Sequence, residues 1–432
     1  MVGLWWTLGG CLGLGETVPP APPLAVDHGV DVAKKRIRIG ALNDESGPAK
    51  AIGHPFAVGK RVLVAAVNAG GTGVLPDGWT VELVERDHGY VPKEAQRALQ
   101  TLRDDVLFVS TSFGTDHTLA LQEGLSAANL MAFPASLSTA LQGHALTPPL
   151  GASYEAEARR AVDYLIDDAD GRPVRIAVIH QDDAYGRDVA KGAARGAQDY
   201  ALSVTLALPI AGPGDPEALS DQLSKSSITH VVLGTLPPLT LGLLEAAVSR
   251  SSEIAWVGTT PAWSDAFEAR PDAKELLARY AQASSLPFWG EEVPGMTEFE
   301  KAFATHAPGE TPDGYVLMAY VQGMVQLEAV REAIEAGDVT RQGYRKALGG
   351  LHHVDAHGML GALDLSRLPG AVTERVRILK PRLATEGPRF AEVLPQTRPG
   401  PRRERPGQAA MDDEASSGSY PGEGADELDA EP

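Results

Sequence analysis

The sequence contains a single cysteine, Cys11, among 432 residues. One cysteine excludes an intramolecular disulfide and a cysteine-rich metal site. Aromatic residues make up only 6% of the chain, and no apolar run reaches the roughly 18 residues that a membrane-spanning helix needs. Positive charge is also scarce, since 38 Lys and Arg stand against 57 Asp and Glu, for a formal net charge of −19. Without a basic stripe, this balance argues against nucleic acid and anionic membrane surfaces as partners.

The cysteine ends a short apolar segment near the N-terminus. Residues 4–11 read LWWTLGGC, and the last four letters resemble a bacterial lipobox, in which the cysteine is lipidated and becomes the mature N-terminus. No Lys or Arg precedes this run, which a start codon placed too far downstream would explain. We expect Cys11 to be the lipidation site, and a free cysteine in a disordered leader is the alternative.

Both ends of the chain have compositions typical of unfolded segments. Residues 1–35 form a leader that ends in a Pro-rich linker without periodicity, which is expected to be an extended tether. Residues 395–432 begin with a small Arg cluster and continue as an acidic tail rich in Gly and Ser. Such a composition buries too little apolar surface to fold alone, so we expect a disordered tail and a folded part over 36–394.

Between these ends, strand-like apolar runs alternate with helical patterns in two successive series. The first series spans 36–136, and the second spans 153–260. Repeated strand–helix units imply parallel sheets with right-handed crossovers. The sequence therefore predicts an α/β fold with two doubly wound lobes of similar build.

The loops that follow the predicted strands hold the candidate binding residues, because such sheets bind ligands beyond the carboxyl ends of their strands. Turn chemistry explains any one of these loops on its own. Six of them divided between two lobes favour a shared cleft. They are rich in Ser, Thr, Gly, Asp and aromatic residues and span 43–48, 110–116, 134–139, 181–186, 235–238 and 259–265.

An ordered series of segments resembles one protein family over residues 36 to about 365. The opening RIRIGALNDESGP with GHPFAVGKRVLVAAVNAGGTGV, the stretch VELVERDHGYVPKEAQRALQTL and the interior stretch VIHQDDAYGRDVAKG carry the resemblance. They are similar to the type I periplasmic substrate-binding proteins of ABC transporters, in the branched-chain amino acid binding branch.

The resemblance implies a binding protein without catalytic activity or cofactor. Its two lobes, joined by a three-strand hinge, would close over a small solute. By analogy, lobe 1 is 36–151 plus 285–352, and lobe 2 is 152–284 plus 353–394. Such a protein holds its solute in the periplasm or at the cell surface and presents it to an ABC permease. A lipid on Cys11 would keep it near the membrane.

The resemblance also implies which residues line the cleft. Tyr185 of the YG tip matches a cleft tyrosine of the family, and Tyr315 matches a second, although its spacing also fits a helix-core residue. The family's residues that bind the carboxylate of an amino-acid ligand align with the segments SFGT and PASLS. The family's acid that binds the ammonium group of the ligand aligns with Thr260. Trp263 would add a stacking wall, or serve only in packing. The predicted ligand-binding residues are Ser112, Gly114, Thr115, Ala135, Ser136, Tyr185, Thr260, Trp263 and Tyr315.

The matching positions lack the charge and hydroxyl groups of an amino-acid clamp. Gly114 and Leu137 occupy the two positions at which the family has hydroxyl side chains, and Thr260 occupies the position of the family's acid. A zwitterion buried without partners for its charges costs several kcal/mol. We therefore expect a ligand other than a simple zwitterionic amino acid: a neutral or amide-like solute, a hydrophobic or aromatic carboxylate, or a small peptide-like molecule.

Two other classes of function compete with a transport role. An enzyme is disfavoured because no G-x-S-x-G, H-E-x-x-H or Walker sequence occurs. His352, His353 and His357, with Asp355 between them, suggest a metal site, but flanking glycines favour a loop without a placed fourth ligand. The alternative function is a ligand-sensing or vestigial receptor-type lipoprotein of the same fold, which the altered clamp and the acidic tail also fit.

Overall fold

A computed structural model describes residues 23–383 and 389–394. Cys11, most of the predicted leader and the acidic tail lie outside the described residues. The strands are β1 Ala25–Val26, β2 Val30–Asp31, β3 Arg36–Asn43, β4 Thr80–Asp87, β5 Val109–Phe113, β6 Ala132–Ala135, β7 Ile176–Gln181, β8 Val204–Ile210, β9 His230–Gly234, β10 Ala255–Thr259, β11 Tyr280–Ser284, β12 Asp338–Val339, β13 Arg377–Pro381 and β14 Phe390–Leu394.

The helices alternate with these strands, as the two predicted series require. No helix in the described part of the chain is long and apolar enough to cross a membrane. The helices are α1 Lys50–Asn68, α2 Pro92–Leu102, α3 Thr115–Ala120, α4 Gln122–Ala128, α5 Tyr154–Ala169, α6 Ala184–Asp199, α7 Pro216–Lys225, α8 Pro237–Ser249, α9 Ala273–Leu276, α10 Met296–His306, α11 Gly314–Glu335 and α12 Arg341–Gly349.

Two large sheets organise the described residues, and β1 and β12 pair as a small third sheet. In the first, β4, β3, β5 and β6 run parallel in that order, and the short β2 pairs antiparallel with the start of β3. In the second, the order is β14-β13-β11-β10-β9-β7-β8, and the central strands are parallel. Buried β-branched and leucine side chains on β7 and β9 suit strands that are covered on both faces. The predicted α/β fold with two parallel-sheet lobes is confirmed.

The second sheet ends in two strands that the sequence patterns did not indicate. β13 pairs antiparallel with β11, and β14 pairs antiparallel with β13. Both come from residues beyond 376, after the chain has returned from α12. Short strands at the edge of a mixed sheet carry little periodicity, which explains why the alternation of apolar and polar residues did not reveal them.

The chain passes between the two sheets three times, and its crossing segments are bonded to one another. The crossings lie between β6 and α5, between β11 and α10, and between α12 and β13. The backbone N–H of Ala152 donates to Ser285 Oγ at 3.1 Å, and Arg377 Nη2 donates to the carbonyl of Leu286 at 2.8 Å. These bonds hold the three crossings together as one connection between the sheets.

The exact boundaries of the two lobes stay a prediction. One hydrophobic cluster combines side chains from both sides of the crossings, including Phe56 on α1 and Phe113 on β5 with Val178 and Val257 of the second sheet. Another cluster centres on α1, α10, α11 and α12 beside the first sheet, and residues from Ala356 to Val372 pack in it. Packing is therefore continuous across the crossings and gives no sharp residue at which one lobe ends.

Candidate functional site

A cavity lies between the two sheets, where the carboxyl ends of their strands meet the following helices. It measures about 500 Å³ with its open mouth, and we call it the cleft. Both sheets and α11 contribute to its walls. The lining residues are Ala49, Ile52, Phe56, Tyr90, Phe113, Gly114, Thr115, Ala135, Ser136, Tyr154, Gln181, Tyr185, Leu236, Thr260, Pro261, Tyr315 and Met318.

Most of the residues predicted to bind a ligand lie together in this cleft, and two do not. The Ser112 hydroxyl lies 2.7 Å from Thr118 Oγ1 and is buried inside the first sheet. Trp263 faces a neighbouring cavity described below. A role of any of these residues in holding a solute stays a prediction. Those that line the cleft are Gly114, Thr115, Ala135, Ser136, Tyr185, Thr260 and Tyr315.

Two hydroxyls of the first sheet meet at the cleft. Thr115 Oγ1 and Ser136 Oγ are 2.7 Å apart, because β5 and β6 are parallel neighbours whose ends lie side by side. Gly114 precedes α3 with φ +91°, and a Cβ there would lie 2.4 Å from His117 Nδ1. Leu137, at the second hydroxyl position of the family, is fully buried in the core instead.

Tyr185 presents its ring to the cleft and its hydroxyl to the protein. Asp183 caps α6 by accepting from the N–H of Gly186 at 2.8 Å, which places Tyr185 in the first turn of the helix. Its hydroxyl lies 2.8 Å from Thr259 Oγ1, and its ring packs edge-on against Tyr154 at 4.7 Å. Burial raises the pKa of the Tyr185 hydroxyl. The ring is therefore a fixed, neutral wall of the cleft.

Thr260 is held from behind by a buried carboxyl group that the sequence did not reveal. Glu157 Oε2 accepts from the Thr260 N–H at 2.9 Å, and Glu157 Oε1 accepts from the Thr260 hydroxyl at 2.7 Å. Glu157 is fully buried on α5, and burial raises its pKa to about 8. An acid thus lies close to the expected ammonium position, but Thr260 separates it from the cleft.

Tyr315 crosses between the lobes at the first turn of α11. Its hydroxyl donates to the carbonyl of Thr260 at 2.8 Å and also lies 3.1 Å from the carbonyl of Trp263. Beyond it lies a second cavity of about 470 Å³, counted with its open mouth, which shares Thr260, Tyr315 and Met318 with the cleft. Trp263 belongs to the wall of this second cavity, so its predicted stacking position is outside the cleft itself.

Several aromatic rings complete the cleft without having been predicted. Phe56 and Phe113 pack edge-on at 6.4 Å, and Tyr90 packs against Phe113 at 6.2 Å. Phe56 and Phe113 follow core-like spacing on α1 and β5, so the sequence gives no separate signal for them, whereas Tyr90 lies in the loop after β4. The walls are consequently more apolar than the loops alone suggested.

Two polar groups at the cleft are left without protein partners. No described residue forms a hydrogen bond with the Tyr90 hydroxyl, and Gln181 Oε1 is buried without a partner. Buried polar atoms are nearly always bonded in folded proteins. Because both residues line the cleft, these groups are available to a polar group of a bound solute.

The histidine motif of the sequence does not assemble a metal site in the described part of the chain. No group of three or more His, Cys, Asp or Glu side chains there is arranged to hold a metal ion. His352 Nδ1 instead lies 3.2 Å from Asp364 Oδ1, and His357 Nδ1 lies 3.6 Å from Glu298 Oε2. The motif forms a loop in which His352 and His357 point to separate acids.

Comparison with known proteins finds relatives in sequence and in fold. A Leu/Ile/Val-binding protein homolog 7 of Brucella abortus is 27% identical over 362 residues, covering 74% of this chain and 87% of that protein. Among solved structures, a fatty acid ABC transporter substrate-binding protein from Thermomonospora curvata superposes with a TM-score of 0.78 at 22% identity, covering 85% of this chain and 94% of that one.

Two further solved structures share the fold at lower identity. A branched chain amino acid ABC transporter protein from Thermus thermophilus with bound valine has a TM-score of 0.70 at 18% identity, covering 84% of this chain and 97% of that one. A solute binding protein from R. palustris in complex with 4-hydroxybenzoate has a TM-score of 0.70 at 15% identity, covering 83% and 96%. The family model described as periplasmic binding protein matches residues 36–384. The chain therefore belongs to the periplasmic binding protein family and has its type I fold.

Proposed function

We propose that this protein carries a small, largely apolar solute to an ABC permease outside the cytoplasm, and that the solute is not a simple zwitterionic amino acid. The observation that carries this proposal is the lining of the cleft. No Asp, Glu, Lys, Arg or His side chain lines it among the described residues. A zwitterion enclosed there would lack an acid to pair with its ammonium group, which costs several kcal/mol.

The nearest acid does not supply the missing charge. Glu157 already accepts two hydrogen bonds from Thr260, and burial raises its pKa to about 8, so it is largely protonated at neutral pH. The polar groups that remain are uncharged: the Thr115 and Ser136 hydroxyls, the Tyr90 hydroxyl and the Gln181 amide. They suit the single polar end of a neutral solute or of an apolar carboxylic acid.

The structural relatives show that this fold is used for varied solutes. They are a fatty acid transporter's binding protein, a protein with bound valine and a protein in complex with 4-hydroxybenzoate. Fatty acids and 4-hydroxybenzoate are acids with a large apolar part, which is the chemistry that the aromatic walls favour here. In the same proposal, the lobes close by bending at the three crossings, and a lipid on Cys11 keeps the protein at the membrane.

Mass spectrometry of small molecules released on unfolding the purified protein would test this function. The released solute should be an uncharged molecule or an apolar acid, and adding it back should raise the melting temperature. Leucine and valine should leave the melting temperature unchanged. Tight binding of either amino acid would overturn the proposed ligand class, and absence of any bound or binding solute would favour the vestigial receptor-type role.

A matched pair of variants ties binding to the cleft. Ala135→Trp places a large ring in the cleft wall and should abolish binding of the released solute. Ala218→Trp places the same ring on the exposed face of α7 and should leave binding intact. Equal binding by both variants would place the solute elsewhere.

A further inference from the structure

The second cavity lies directly beyond the cleft. Counted with its open mouth, it measures about 470 Å³, and it shares with the cleft the residues Thr260, Tyr315 and Met318. These three residues are therefore a partition with open space on each side.

The partition has a fixed part and a movable part. The Tyr315 hydroxyl is held by the carbonyls of Thr260 and Trp263, at 2.8 and 3.1 Å. Met318 contributes only an unbranched thioether chain, which has no such anchor and changes rotamer easily. Met318 is buried in the hydrophobic cluster around the cleft, so it is the side chain that would have to move for a slender chain to pass while Tyr315 keeps its place.

The walls of the second cavity are mostly apolar and pack on one another. Trp263 and Phe390 meet edge-on at 5.0 Å, and Phe288 and Phe390 meet at 5.8 Å. Leu286 and Trp289 complete this surface. Apolar cavities of this kind take apolar occupants rather than ordered water.

The one carboxylate at the second cavity is already paired. Asp265 accepts from Trp263 Nε1 at 2.6 Å and from the Gly314 N–H at 2.8 Å, and it lies 3.3 Å from Arg389 Nη1. Its bonding capacity is taken up by the protein. A charged head group would therefore find no free partner there among the described residues, whereas a hydrocarbon chain needs none.

We propose that the second cavity is a subsite for the tail of the solute. The solute has one small polar end, which lies in the cleft, and an unbranched apolar chain that passes Met318 into the second cavity. This inference rests on the proposed solute-binding function and narrows the ligand to straight-chain amphipathic molecules.

Calorimetry with a chain-length series tests the inference on the full protein. The probes are butanoate, hexanoate, octanoate, decanoate and dodecanoate, with the matching primary amides. Each methylene buried in the second cavity should tighten binding about fourfold, the equivalent of ~0.8 kcal/mol. Equal affinity for short and long probes would overturn the tail subsite.

A variant that fills the second cavity should remove the gain from chain length. Gly314 lines this cavity but not the cleft, and a Cβ there would meet only the Asp265 carboxylate, at 3.9 Å. Gly314→Leu should weaken dodecanoate binding at least tenfold and leave butanoate binding unchanged. Gly309→Leu is the control, because a Cβ at Gly309 meets nothing within 4 Å. An unchanged gain with chain length in Gly314→Leu would contradict the proposal.

Tryptophan fluorescence provides a readout that needs no variant. Trp263 and Trp289 line the second cavity. A terminally brominated undecanoate should quench tryptophan emission on binding, because its bromine would lie against these rings, and a brominated butanoate should not. Binding without quenching would overturn the tail subsite and leave the solute-binding function in place. If neither this series nor any other solute binds, both proposals fall together.

Discussion

Thr260 covers the carboxyl group of Glu157, and it uses both its backbone N–H and its hydroxyl to do so. The two residues are far apart in the sequence, on the loop after β10 and on α5. The pairing fixes the loop that borders both cavities, because Tyr315 in turn donates to the Thr260 carbonyl. It also leaves a buried carboxyl group whose ionisation is opposed by desolvation.

Stability should therefore depend on the ionisation of Glu157. Burial raises its pKa from 4.5 to about 8, so between these values the folded state holds the proton that the unfolded state has lost. The stability contributed by this protonation is full below about pH 4.5 and is lost as the pH rises to about 8, by at most about 1.4 kcal/mol per pH unit. Urea unfolding of the wild type and of Glu157→Gln from pH 5 to 8 should show the wild type losing stability relative to the variant.

The control for this experiment is Glu123→Gln, which changes an exposed glutamate on α4. The difference in free energy of unfolding between Glu123→Gln and the wild type should not change with pH as it does for Glu157→Gln. A constant difference between the wild type and Glu157→Gln would mean that Glu157 is already ionised in the folded protein.

Lys60 presents the opposite case, a buried base without a carboxylate in contact with it. Its ammonium group donates to Gln326 Oε1 at 3.2 Å, no described acid forms an ion pair with it, and burial lowers its pKa from 10.5 to about 7. Between these values the unfolded state binds more protons, so the stability of the wild type rises with pH. Lys60→Met should be more stable than the wild type by a few kcal/mol below pH 7, and this gain should shrink toward pH 10.

Denaturant unfolding at several pH values measures the effect, and Lys93→Met is the matched change on an exposed lysine. That control should alter stability little at any pH. If Lys60→Met were destabilising at every pH, the ammonium group would have a stronger set of partners than its bond to Gln326.

Two tyrosines of the cleft should respond differently to loss of the hydroxyl. The Tyr185 hydroxyl is bonded to Thr259 in the interior, so Tyr185→Phe should lower the free energy of unfolding by about 1 kcal/mol. The Tyr90 hydroxyl has no partner among the described residues, so Tyr90→Phe should leave stability unchanged and weaken solute binding roughly three- to tenfold. Melting curves measure the stability of the two variants, and calorimetry measures their solute binding. Equal changes in stability and in binding for both variants would contradict the two predicted roles.

The sequence patterns predicted the polar residues of the cleft better than its apolar residues. Tyr185, Thr115 and Thr260 follow predicted strands, and the rule that parallel sheets bind ligands at strand ends points to them directly. Phe56 and Phe113 lie inside elements with core-like spacing, and only the approach of the second sheet shows that they also face a cavity. Periodicity reports that a side chain is buried, not what lies opposite it.

Contacts between residues far apart in the sequence could not be predicted from local sequence patterns either. Glu157 looks like an ordinary acid in the first turn of a helix, where carboxylates suit the helix dipole. Its contact with Thr260 joins residues that are 103 positions apart. Nothing local signals such a contact, and the same holds for the second cavity, whose walls come from β11, α11, β13 and β14.

The turn that carries Tyr185 should tolerate no side chain at Gly186. A Cβ at Gly186 would lie 1.8 Å from the carbonyl oxygen of Gln181, which is backbone and cannot swing away. Gly186→Ala must therefore open the turn between β7 and α6, which should cost more than about 2 kcal/mol of stability and displace the Tyr185 ring. Gly349→Ala is the control, because a Cβ at Gly349 meets nothing within 4 Å. Denaturant unfolding should separate the two variants clearly, and a Gly186→Ala protein as stable as the wild type would show that the turn is not packed in this way.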